Sequence, residues 1–202
     1  MNSKGIEVLS SNSVILDDEG NELSRDGGLS INSLEPHLRV LTNYITKDSG
    51  RYYAWVQVVK QDTLPVNATY ESYPASYDVV SINWDPKKID YVANGTSGAN
   101  MWLADADQRN AGTILFNIYD NFDAENTTSV SAYAKLSAKT TGQTTTAAKY
   151  THTYDLTSKT TTYTGTASWT WGSSASVGIN YTVTSKETNW SKAATASVTL
   201  SN

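Results

Sequence analysis

From Tyr163 to Val183 nearly every odd position is apolar or small: Tyr163, Gly165, Ala167, Trp169, Trp171, Ala175, Val177, Ile179, Tyr181 and Val183. Only Ser173 breaks the run, and every even position from Thr164 to Thr184 is Thr, Ser, Gly or Asn. A period of two is the period of a pleated strand and no helix can use it. One strand of this length would reach about 70 Å, far beyond ordinary strands. The stretch must therefore turn, and Gly172-Ser173-Ser174 offers the turn residues. The apolar positions stay odd on both sides. Opposed residues then share a face only if the loop holds an odd number of residues, which a three-residue loop satisfies with Trp171 opposite Ala175.

The same alternation recurs over 130–139, 148–157 and 193–201, with Val130, Ala132, Ala134, Leu136 and Ala138 on one face of the first. These segments predict an antiparallel array of hairpins. Upstream, Asp48-Ser49-Gly50 predicts a tight turn ahead of the strand-like Tyr52-Tyr53-Ala54-Trp55-Val56. The segment before that turn fits a helix by Leu34, Leu38, Leu41 and Ile45 and a strand by Leu38, Val40, Thr42 and Tyr44. The strand agrees better with its β surroundings. Residues 77–84 and 89–93 read as further strands. Residues 112–120 are apolar on both faces, with Ile114, Phe116 and Ile118 opposite Leu115 and Tyr119, and predict a strand buried on both sides. About ten short strands predict an all-β chain, an antiparallel β-sandwich or an elongated β protein.

Residues 1–33 are polar, acidic and glycine-bearing without a sustained period, and read as a flexible N-terminal extension. Gly27-Gly28 is similar to the double-glycine end of a bacteriocin leader, but the apolar spacing of such leaders is missing upstream. Residues 34–202 form the β domain, with a change of texture near 127 that suggests a change of sheet. The chain of 202 residues has no cysteine, which removes disulfides and thiolate chemistry. Its Tyr/Thr/Ser/Asn texture resembles exported proteins of Gram-positive bacteria. The start, MNSKGIEVLSSNSV, lacks a basic head followed by an apolar stretch, so the expectation is a mature secreted form.

The net charge of −5 is uneven. Residues 1–126 carry 18 acidic and 9 basic side chains, while 127–202 carry six lysines against Asp155 and Glu187. Lys135, Lys139 and Lys149 are thus candidates to meet an anionic envelope surface, against the plain alternative of lysines scattered on a sheet. The acidic balance and the lack of a basic stripe argue against nucleic acid. Trp84 and Trp102, with Tyr73, Tyr77 and Tyr91, are candidates to stack on sugar, although such rings also fill sandwich cores. Asp105, Asp107 and Asn110, and the run from Asp120 to Asn126, have the oxygen-rich composition of calcium loops and equally of solvated turns. His37 and His152 stand without a triad motif, and no phosphate loop or metalloprotease motif occurs. No enzyme and no cofactor is expected.

The 162–184 hairpin carries no charge from Thr160 through Ser185, and its arms have the nine to ten residues that a membrane strand needs. On that pattern it resembles the stem hairpins of secreted bacterial β-pore-forming toxins of the aerolysin and leukocidin types, or a large bacteriocin. The resemblance implies a non-enzymatic protein that acts at a cell envelope, with Tyr163, Trp169, Trp171, Val177, Ile179 and Tyr181 meeting lipid and with oligomerisation as a route. The alternative is a carbohydrate- or surface-binding module, or a matrix component, in which the hairpin is ordinary sandwich sheet.

Overall fold

The computed structural model describes residues 6–17, 19–23, 37–62, 77–119, 128–154, 169–171, 181–183 and 187–201. The described strands run in chain order as β1 (Glu7–Leu16), β2 (His37–Asp48), β3 (Arg51–Asp62), β4 (Asp78–Trp84), β5 (Ile89–Ser97), β6 (Met101–Asp105), β7 (Thr113–Ile118), β8 (Thr128–Ala138), β9 (Gly142–Tyr154), β10 (Trp169–Trp171), β11 (Tyr181–Val183) and β12 (Thr188–Leu200). A 3-10 turn at Arg109–Ala111 joins β6 to β7. The first sheet has the order β1-β2-β3-β8-β5 and the second β12-β9-β4-β7-β6, while β10 and β11 pair apart from both. All described pairings are antiparallel. The expected all-β sandwich is what the chain forms.

The two sheets close on one core. Leu41, Ile45, Ala54, Val56, Val58, Val130, Ala132 and Leu136 from the first meet Val80, Ile82, Phe116, Ala148, Tyr150, Ala194 and Val198 from the second. Each large aliphatic side chain so buried contributes about 1.5–3 kcal/mol. Asn43 is one of the polar side chains that tie the layers together. Asn43 Nδ2 donates to the Thr146 carbonyl at 2.9 Å and to the Ala194 carbonyl at 3.3 Å. The β2–β3 turn is as expected: Ser49 and Gly50 both have positive φ, 49° and 78°, which suits a two-residue hairpin.

Two expectations change. Residues 7–16 belong to the sheet rather than to a flexible extension. Leu16 is fully buried, and Leu9 and Val14 pack on the core. The strand is hard to see in the sequence because a bulge between Val8 and Ser10 breaks its parity. The C-terminal segments are also not one array of hairpins. The chain leaves the second sheet after β7, enters the first as β8 between β3 and β5, and returns to the second as β9. Alternation reports which face a residue takes, not which strand lies beside it.

β4 and β7 are buried at every position. A two-layer sandwich leaves one face of each strand wet, so a third layer must cover them.

Candidate functional site

That third layer includes the hairpin. Trp169 lies opposite Val183 and Trp171 opposite Tyr181. This corrects the expected register of Trp171 with Ala175. The parity argument survives, since opposed residues are both odd, but the contact that fixes the register lies outside the hairpin. Tyr163, Val177 and Ile179 fall outside the described residues.

Tyr181 reaches out of the hairpin to make that contact. It is 2% exposed and packs with Val79 of β4 and Leu115 of β7, with Ala104 and Val183 against them. Val79 and Leu115 have the opposite parity to the core residues Val80 and Phe116, so the hairpin sits on the outer face of the second sheet. The Tyr181 hydroxyl lies 2.9 Å from Thr151 Oγ1 and 3.3 Å from the carbonyls of Val79 and Lys149. Lys149 Nζ donates to the Tyr181 carbonyl at 3.1 Å and stands 4.6 Å from the centre of its ring. Burial raises the Tyr181 phenol well above its usual range, and the charge of Asp78 pushes the same way. Burial lowers the Lys149 ammonium. Thr170 and Thr182, on the even face, are exposed. The apolar face of the β11 arm is therefore turned to the protein and its hydroxyl face to water.

The Tyr181 cluster is separate from the main core. The signal in the sequence was the run apolar on both faces at 112–120, which demanded a cover without naming it.

The lysines do not form one patch. Lys149 lies under the hairpin. Lys135 is on the outer face of the first sheet, 5.7 Å from the centre of the Tyr53 ring. Lys139 is exposed and pairs with Asp90 at 3.1 Å. Trp84 is not on the surface: it is 2% exposed and stacks on Tyr91 in the core. Gly112 lies against the Trp84 backbone, where a Cβ would meet the Trp84 carbonyl at 2.2 Å. Trp102 is 36% exposed, edge-on to Tyr77, and neighbours the hairpin through the row Trp102, Asn117, Val79 and Thr151. Tyr73 and the run 120–126 fall outside the described residues. Asp105 Oδ1 accepts from the Asp107 amide at 2.7 Å, a turn contact, and no group of three metal-binding side chains occurs among the described residues.

His152 is packed. Its Nδ1 lies 3.0 Å from both oxygens of Asp78, which also accepts from Tyr150 and from the Thr153 amide. Nε2, the atom a triad would aim at a nucleophile, faces Arg39 Nη2 at 3.4 Å. Asp78, His152 and Arg39 are all buried. The arrangement suits charges that must be paired inside a sandwich.

No protein-family model matches the chain, and the comparison with curated proteins gives no match. Among solved structures it is similar to a pore forming protein, at 9% identity and a TM-score of 0.38 over 99% of this chain and 95% of that one. It is similar to a Streptococcus parasanguinis Fap1 fimbrial adhesion structure, at 10% identity and a TM-score of 0.37 over 96% and 95%. The sixth cohesin from scaffoldin B of Acetivibrio cellulolyticus gives 13% and 0.33 over 56% and 84%. At these identities and scores the likeness assigns no function.

Proposed function

We propose that this is a secreted, non-enzymatic β protein acting at a cell envelope, which stores a membrane-entering hairpin on the outer face of its second sheet. The observation that carries the reading is the separation of the Tyr181 cluster from the main core. A hairpin that belonged to the sandwich would share that core. This one can leave while the two sheets stay closed. Its uncharged apolar face, of which Tyr181 is buried against the sheet, would meet lipid, and its Thr face would meet water.

Dye release from anionic and neutral vesicles tests this. Tyr181→Ala removes the plug and should speed release, with the sandwich still folded by circular dichroism. A wild type and a Tyr181→Ala variant that both release no dye from any vesicle would sink the reading, and the hairpin would be a fixed cover for Val79 and Leu115.

A further inference from the structure

The outer face of the first sheet has a different character. Its middle carries three aromatic residues in one cross-strand row, with Tyr44 opposite Trp55 and Trp55 opposite Tyr133. The Tyr44 and Trp55 rings are 2° from parallel at 5.6 Å between centres, and Trp55 and Tyr133 are 4.8 Å apart. Two contacts lay these rings along the sheet instead of upright. Trp55 Nε1–H donates to Thr46 Oγ1 on the neighbouring strand at 3.0 Å. The phenol end of Tyr133 lies over Gly95 of β5, so close that a Cβ there would meet its ring and hydroxyl at 2.7 Å. A ring resting on a glycine has one face on backbone and turns the other outward. All three side chains are half-buried.

The next row along the strands is Thr42, Gln57 and Ser131, opposed in the same order. It holds hydroxyls and one amide, and no charge. Two rows on one face of a strand lie about 7 Å apart, and three adjacent strands span about 10 Å. Lys135 stands beside the rings, held over Tyr53, and Arg51, further along the same face of β3, donates to Ser137 Oγ on β8.

We propose that this face binds a neutral polysaccharide laid across β2, β3 and β8. A sugar ring has an apolar C–H face that an aromatic ring desolvates well, and a rim of hydroxyls that must find new partners. The two rows supply these in parallel. The charge pattern selects the occupant. An acidic polymer would find only Lys135 and Arg51 on this part of the face among the described residues, on a protein of net charge −5. A lipid surface wants aliphatic side chains with a cationic rim, where this face has a hydroxyl row. The platform and the hairpin lie on opposite outer faces of the sandwich, so each can be lost without the other.

The test is retention of the full chain by cellulose, chitin and soluble β-glucan, with alginate and anionic vesicles as contrasts. Retention by at least one neutral polysaccharide is expected, unchanged by salt up to about 0.5 M. Trp55→Ala should weaken it at least about tenfold. Gly95→Ala, which drives the Tyr133 ring off the sheet without removing any ring, should weaken it too and guards against a folding defect in the first variant. Tyr181→Ala should leave retention intact, and Trp55→Ala should leave vesicle leakage intact, so this proposal and the hairpin reading fail separately. The proposal is overturned by no retention on any neutral polysaccharide, by retention that both variants leave unchanged, by salt-sensitive capture on alginate or vesicles, or by a self-association that Trp55→Ala abolishes.

Discussion

Tyr181 ties the hairpin to pH through its buried phenol. Burial raises its docked pKa above the free value of 10.0. A raised folded value means that docking is at full strength below about pH 10 and weakens as pH climbs through the docked value, because the released phenol ionises first. Lys149, with its pKa lowered by burial, contributes with the opposite sign, so the informative quantity is the difference between wild type and Tyr181→Phe. Protease cutting within 162–184 should rise between about pH 10 and 12 in the wild type, and Tyr181→Phe should show a flatter rise. An equal slope in both proteins would remove the phenol from the account. The tryptophans separate just as clearly. Trp84→Ala empties a core site and should cost about 3–5 kcal/mol. Trp102→Ala, edge-on to Tyr77 at the surface, should cost about 1 kcal/mol. Urea melts of the two variants check this. The sequence alone placed both rings in one candidate set, since a Trp before a turn reads the same whether it points in or out.

At the scale of the element, the hairpin was legible as far as its parity and no further. Odd positions oppose odd positions, as the alternation requires, but Trp171 meets Tyr181 instead of Ala175. Turn residues alone favoured the shorter loop. What decided the register is a seat built from Val79, Leu115, Lys149 and Thr151, which no local pattern contains. The exposed even face gives a prediction that the seat does not disturb. Thr182→Leu should keep the wild-type melting temperature, because Thr182 faces water. It should change vesicle leakage only if that face lines a water-filled path. Replacing 162–184 by a short polar linker should leave the sandwich folded and lower its stability by about 2 kcal/mol, the worth of one buried aromatic. Collapse of the truncated chain on thermal melting would show the hairpin to be part of the main fold.

For the whole molecule, the all-β class and most strands could be read from period-two runs and turn residues. The assembly of those strands could not. β8 and β9 are consecutive and similar in texture, yet they lie in different sheets. β1 escaped notice because Ser10, Ser11, Asn12 and Ser13 give no apolar signal and the bulge resets the parity on which the rest depends. The charge asymmetry along the chain likewise dissolves in three dimensions. Lys135 and Lys149 stand on opposite outer faces, and Lys139 is engaged with Asp90. Reversing each lysine separately should therefore give unequal results. Lys149→Glu should loosen the hairpin and increase protease cutting at 162–184, while Lys135→Glu and Lys139→Glu should change stability by less than about 0.5 kcal/mol in a thermal melt.

The seat of Tyr181 has one more consequence, for the order in which the chain is made. Val79, Ala104, Leu115, Lys149 and Thr151 all precede Tyr181 in sequence. A chain emerging from its amino end therefore presents the whole receptacle before the plug appears. This uncharged hairpin need never wait in solvent for its cover to be synthesised, which shortens the interval in which it could join another chain.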